Sequence, residues 1–306
     1  MGVFEAVILT VITAATPLLL ASIGELITER SGVLNLGVEG MMVMGAVCGF
    51  AAAYTTGSAS IGIIAGILAG IAMSILFAFL TLSLVANQVA TGLALTLLGL
   101  GLSGMIGESF VSKPGIGLPK LFIPYLTEIP FVGPILFGHD GLVYASLALT
   151  AAVWWFLFRT RGGLILRSVG DNHDSAHALG YNVIRIRYLA VMFGGACSGL
   201  AGAYLSLAYT PLWTENMTAG RGWIALALVV FGTWLPWRVV AGAYLFGFMT
   251  IVGFHAQALG IGIPSQFLSS LPYLATIVVL VLISMRKSLV SVHTPASIGK
   301  PFVPSH

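Results

Sequence analysis

Charged side chains are scarce in this chain: Asp, Glu, Lys and Arg make up 8% of its 306 residues, against about a quarter in soluble domains. At 58% hydrophobic residues and a mean hydropathy of +1.02, it lacks the polar surface that a water-soluble fold needs. Cysteine is nearly absent. Cys48 and Cys197 both fall in apolar stretches, which argues against a disulfide framework and against a cysteine metal site. No Lys or Arg precedes Arg30 and Glu5 lies near the start, so the basic opening of a secretory signal peptide is missing. Residues 5–27 are expected to be a retained span. Also missing are Gly-x-x-x-x-Gly-Lys-Ser/Thr, His-Glu-x-x-His and Gly-x-Ser-x-Gly. Without a phosphate-binding loop, a zinc-protease helix or a nucleophile elbow, the chain has no recognisable hydrolytic machinery and is read as non-catalytic.

What the sequence has is apolar length. Crossing a hydrocarbon core takes about 20 apolar residues, and lipid leaves no partner for a loose backbone N–H or C=O, so helices are the default spanning element. Runs free of Asp, Glu, Lys and Arg cover 6–24, 40–107, 141–158, 188–214, 222–237 and 239–285. Divided at their turn signals, they give about nine spans (eight to ten): 5–27, 38–55, 61–85, 88–107, 141–158, 188–208, 222–236, 239–257 and 270–286. Residues 61–85 do not alternate apolar with polar, which excludes a transmembrane β-barrel. The expected fold class is all-α: a polytopic transmembrane helix bundle in one domain, 1–287, followed by a tail, 288–306.

The net charge of +3 does not point to nucleic acid, because the basic residues segregate. Arg30, Arg159, Arg161, Arg167, Arg185, Arg187, Arg238, Arg286, Lys287 and Lys300 fall on one side of the expected topology, leaving Lys113, Lys120 and Arg221 on the other. By the positive-inside rule the first side is cytoplasmic, with the C-terminus in and the N-terminus out. The outer loop 108–140 holds five of the 13 prolines and is read as a cover over the span ends. The tail, with Pro295, Pro301 and Pro304, is expected to fray. Small-residue spacings at Gly45/Gly49, Gly62/Gly66/Gly70 and Gly195/Gly199 suit close helix contact in lipid.

Residues 159–187 are the most polar stretch and must sit in water. Within them, Asp171 or Asn172 can cap a short helix through Ser175, Ala176, His177 and Ala178, with Gly180 at the left-handed position after it. Such a segment is either a positive anchor or a docking helix for a soluble partner. His173 and His177 have metal-pair spacing but no third ligand beyond Asp174, so no metal is assigned.

Two segments resemble a known family. GELITERSGVLNLGVEGMM (24–42) running into Met44, Gly45 and Ala46 is one; LRSVGDNHDSAHALGY (166–181) with AGRGWIALA (219–227) and FGTWLP (231–236) is the other. They are similar to permease subunits of ABC importers in the branched-chain amino acid, ribose and nucleoside group, most closely the nucleoside or simple-sugar branch. The resemblance implies a type II-like importer permease that translocates nucleosides or a related small polar solute by alternating access. It also implies its partners: a second permease subunit, in a heterodimer; a cytosolic ATPase subunit that binds ATP and Mg; and an external solute-binding lipoprotein. The setting would be the lipid bilayer of a prokaryotic inner membrane. The segment with Gly170, Asp171, Asn172, Ala176 and Gly180 then matches the coupling helix to the ATPase, although His173 and Asp174 stand where Pro and Glu are common in the family.

Polar groups within spans tend to face a cavity. Asn35 and Glu39, among Gly32, Gly37 and Gly40, and Asn87 and Gln88 are the candidates for the substrate path. Glu25, Glu29 and Arg30 read as an interfacial ion-pair cluster, and Trp213, Trp223, Trp234 and Trp237 as an aromatic belt at the span ends. An ion-coupled secondary transporter or channel is the alternative function, disfavoured by the absence of any Asp, Glu, Lys or Arg in 40–107.

Overall fold

Long apolar runs with no competing hydrogen-bond partner close their backbone bonds internally, and the computed structural model, which describes residues 3–121, 127, 132–258, 264–284 and 293–303, is accordingly helical. In chain order the helices are α1 (Val3–Arg30), α2 (Val38–Thr56), α3 (Ala59–Ala78), α4 (Gln88–Gly107), α5 (Val132–Phe137), α6 (Gly141–Arg159), α7 (Arg161–Asp171), α8 (His173–Ala178), α9 (Val183–Tyr204), α10 (Arg221–Phe231), α11 (Pro236–Ala258) and α12 (Ser265–Ser284). Among the described residues, β structure amounts to two isolated bridges, Pro114 with Leu212 and Lys120 with Asp140. All-α is therefore the fold.

Among the described residues, seven helices are long and apolar enough to cross a membrane, α1, α2, α3, α4, α6, α9 and α11, and the expected nine are not reached there. The span expected at 222–236 is instead α10, whose 11 residues reach about 16 Å at 1.5 Å per residue, half of a hydrocarbon core of about 30 Å. It starts after Gly220, at φ 82°, and ends where Thr233 and Trp234 take positive φ, 48° and 53°, before Pro236 opens α11. The last expected span, 270–286, lies largely within α12, whose apolar stretch is the shorter Gln266–Val279.

The spans are not equivalent. α2 and α9 bury 72% of their most apolar windows, whereas α4 buries 28%, so α2 and α9 form the centre and α4 presents Leu97 and Met105 outward. Glycine makes this centre possible. A Cβ on Gly45 would collide with the carbonyl of Gly199, one on Gly199 with that of Gly66, and one on Gly70 with that of Gly195. The three expected spacings thus serve contact between α2, α3 and α9 within one chain.

In the 108–140 loop, the described residues fold back over the end of α9: Gly115 N–H donates to Pro211 O (3.2 Å) and Leu118 N–H to Leu207 O (2.9 Å). Part of that loop, 122–126 and 128–131, lies outside the described residues. Two readings need correction. Trp213 and Trp234 are not belt residues; they are 1% and 4% exposed, Trp213 lying in the space a side chain at Gly107 would fill. The tail is not frayed over 293–303, where it docks on α7, α8 and α9.

Overfilling the glycine contact tests this arrangement. Gly199→Leu should lose more than the 1–3 kcal/mol typical of core overpacking, because carbonyl backbone cannot yield as a side chain does. A thermal denaturation midpoint in detergent equal to that of the unaltered protein would contradict it.

Candidate functional site

Between α1 and α2 the backbone leaves helical form over residues 31–37, most of them buried, where unpaired amides are costly. Side chains complete it. Asn35 N–H donates to Glu25 Oε1 (3.3 Å), Leu34 N–H to Gln88 Oε1 (2.8 Å), and Gly37 N–H to Asn35 Oδ1 (2.9 Å). Glu39, 2% exposed, then reaches the start of α10. Its Oε1 accepts from Thr218 Oγ1 (2.6 Å) and Gly220 N–H (2.8 Å), and its Oε2 from Gly222 N–H (2.6 Å). A carboxylate at a helix N-terminus satisfies orphan donors and complements the positive end of the dipole. Gly222 is required here, since a Cβ would meet the Glu39 backbone.

Beside this junction lies a cavity of about 590 Å³ bordered by Glu39, Leu100, Asn216, Gly220, Trp223 and Tyr273 among others. A second cavity of about 250 Å³ shares Ala219, Ile224 and Tyr273 with it and adds Arg221. Arg221 is therefore at the head of α10, donating to Met217 O (3.0 Å) with its guanidinium 5.7 Å from the Tyr209 ring centre. The larger cavity combines aromatic surface, an amide and a carboxylate whose oxygens are both occupied. That combination suits a neutral polar solute with a flat or apolar face.

Of the four residues expected on the path, Glu39 borders the cavity, while Asn35 and Gln88 hold the 31–37 loop from behind. Asn87 is exposed and caps α4 through Ala90 N–H (3.0 Å). The expected ion-pair cluster does not form: Glu29 Oε2 accepts from Trp234 Nε1 (2.5 Å), and Arg30 Nη2 donates to Trp234 O (2.8 Å). Both groups fasten the turn after α10.

The second element is α8. Asn172 is its N-cap, accepting from Ser175 N–H (2.9 Å), while Asp171 closes α7. His173 begins the helix, so the cap sets the start without proline. At the other end Gly180 takes φ +88°, with Gly180 N–H donating to His177 O (2.8 Å) and Tyr181 N–H to Ala176 O (3.2 Å). These two bonds make a Schellman turn. Ala176 is buried against Val169, Val183 and Phe302, and Gly170 lies so close to Arg30 O that a Cβ has no room. Leu179, 77% exposed, and Tyr181 are presented outward. Thus Asn172 and Gly180 bound α8, Ala176 and Gly170 pack it in place, and Asp171 ends the helix before it.

The model of the branched-chain amino acid transport system permease component matches residues 7–285. The chain belongs to this ABC permease family. Among its relatives, the permease is 41% identical over 309 residues, 94% of each chain, to TsgC13 of Haloferax volcanii, named for a glucose ABC transporter. It is 34% identical over 293 residues to the nucleoside ABC transporter permease protein NupC of Lactococcus lactis subsp. cremoris, covering 91% of this chain and 92% of that one. A solved inward-facing conformation of an ABC transporter assigned to the metal-chelate type matches the permease with a TM-score of 0.52 at 17% identity, covering 90% of this chain and 84% of that one. That likeness concerns the fold.

The structure gives two residues of the permease a place that their sequence reading does not. Trp223, read as a belt residue at a span end, is 46% exposed and lines the cavity, because α10 is a half-length helix and not a full span. Arg187 was counted only as a positive charge, yet it is 1% exposed and its Nη2 donates to His173 Nδ1 (3.2 Å). Burial and the Arg187 guanidinium hold His173 below its ordinary imidazole value against the pull of Asp174, so the ring is neutral with Nδ1 free to accept.

Glu39 can be tested by its donors. Glu39→Ala strands three of them, at about 1–3 kcal/mol for each that water does not reach, whereas Glu39→Gln keeps an acceptor. The thermal midpoint should fall in the order wild type, Gln, Ala; an Ala variant as stable as wild type would remove Glu39 from this role.

Proposed function

We propose that this permease forms half of the pore of an ATP-driven importer that carries a neutral polar solute of the nucleoside or sugar kind. The observation that carries the solute class is the Glu39 carboxylate at the head of α10. In broken-helix transporters such a helix end receives anionic substrate groups. Here a protein carboxylate already fills it, so an amino acid carboxylate would meet repulsion and a neutral ring would not. Relatives named for glucose and for nucleosides support the same class.

The path runs along the cavity beside α10, with Glu39 as the member of the Asn35, Glu39, Asn87 and Gln88 set that faces the solute. A second, different permease subunit completes the pore, and an external solute-binding lipoprotein supplies it. ATP and Mg are held by a cytosolic ATPase subunit, and this chain does no hydrolysis of its own. In the prokaryotic inner membrane the N-terminus lies outside and the C-terminus inside, with 159–187 toward the cytosol in keeping with the positive-inside pattern. The α8 protrusion docks on the ATPase through Leu179 and Tyr181, and closure of the ATPase pair shifts α8 and rocks the pore between its two openings.

Ala176→Pro removes the N–H that donates to Asn172 O and disturbs α8 while leaving the spans intact. In proteoliposomes with the partner subunits, the variant is expected to assemble and hydrolyse ATP while uptake falls at least tenfold. Uptake at the wild-type rate would sink the docking assignment.

A further inference from the structure

The buried guanidinium of Arg187 joins three segments that are distant in sequence. Its Nε donates to Ser31 O (3.1 Å), Nη1 to Lys300 O (3.2 Å) and Nη2 to His173 Nδ1 (3.2 Å). Among the described residues no carboxylate lies within ion-pair distance of it, so these three bonds are what hold a desolvated charge. The C-terminal strap, 297–302, adds its own bonds between the same segments. Ser297 N–H donates to Gly170 O (2.8 Å), Ser297 Oγ to Asp171 O (3.3 Å), and Gly299 N–H to Gly32 O (3.1 Å). Phe302, 8% exposed, sets its ring 5.3 Å from both His173 and His177 and closes on Val169, Ala176 and Val183.

The far side of this knot is the loop that shapes the cavity. Ser31 and Gly32 open the 31–37 segment, whose next residues are held by Gln88 and Glu25 and which leads into Glu39. If α8 moved alone, it would leave a buried guanidinium short of an acceptor and open the Phe302 contact. Moving together with residues 31–32, the strap and the first turn of α9, which carries Arg187, keeps every bond. Bonded polar networks that join elements able to move together can carry displacement between sites.

We propose that Arg187 and the strap 297–302 are positioning elements that transmit movement of α8 to the 31–37 loop and so to Glu39 and the head of α10. This rests on the reading of α8 as the ATPase-docking helix. Arg187 touches neither solute nor ATPase.

The test uses the whole transporter in proteoliposomes, with ATPase and binding protein present, and reads solute taken up per ATP hydrolysed. Three variants are compared: a chain ending at Thr294, Ser297→Pro, which deletes the N–H donor to Gly170 O and the hydroxyl donor to Asp171 O, and Arg187→Lys, which keeps the charge but loses the fork. Assembly is checked by size exclusion, and Ser297→Pro serves should the shortened chain not assemble. Basal ATP hydrolysis is expected to stay within twofold, uptake per ATP to fall at least tenfold, and Arg187→Lys combined with the truncation to be no worse than the poorer single. Uptake per ATP within twofold of wild type in the truncated and Ser297→Pro proteins would overturn the proposal, as would losses that multiply in the combination. Ala176→Pro, run alongside, separates the two readings. If it uncouples while the strap variants do not, only this link fails; if it transports normally, the docking reading fails and the link with it.

Discussion

Three donors converge on the Glu39 carboxylate, and the architecture around it follows from that convergence. A helix whose start is buried away from water exposes N–H groups that need partners, so such a start exists only where protein supplies the acceptors. Glu39 supplies them for α10, and being at the start of α2 it also needs its own approach, the 31–37 loop, to be satisfied. Asn35, Gln88 and Glu25 do that. The half-length helix, the irregular loop and the cavity between them are thus one structural solution, and the same carboxylate that stabilises the helix end sets the charge character of the space beside it.

The two halves of the molecule differ in rigidity for a chemical reason. Where α2, α3 and α9 meet, glycines bring backbone against backbone, and such contacts have no side-chain rotamers through which to yield. On the α10 side one such contact, Gly222 against the Glu39 backbone, sits within a polar junction that cavities border. A transporter needs both: a frame that keeps its shape and a wall that can tilt against it. The protruding α8, tied by Arg187 and the C-terminal strap to the loop that bears on that wall, sits where force from outside would enter.

Much of this was legible in the sequence because the relevant physics is local. Apolar run length gave seven of the spanning helices, glycine spacing gave the contact among three of them, and Asp171 or Asn172 with Gly180 gave the ends of α8 to within a residue. What escaped depends on distant partners. Hydropathy over 222–236 measures composition and is blind to a backbone that turns at Thr233 and Trp234, so a half-helix passed for a span. Trp213 and Trp234 look like belt residues by position, and their burial is decided by Gly107 and Glu29. The proline-bearing tail reads as a frayed end until Gly170, Gly32 and Arg187 are seen to bind it. Likewise the Glu25, Glu29 and Arg30 trio suggests an ion pair, but each side chain is claimed by backbone or indole groups.

The central claim is that ATP hydrolysis by a partner, acting through this permease, moves a neutral polar solute inward. Its most direct measurement is uptake of a radiolabelled nucleoside or sugar into proteoliposomes holding the permease, its partner permease, the ATPase and the binding protein, with and without ATP and with ion gradients collapsed by ionophores. The account predicts uptake that requires ATP and survives the ionophores. Uptake that proceeds without the ATPase and stops when the gradients are collapsed would contradict it.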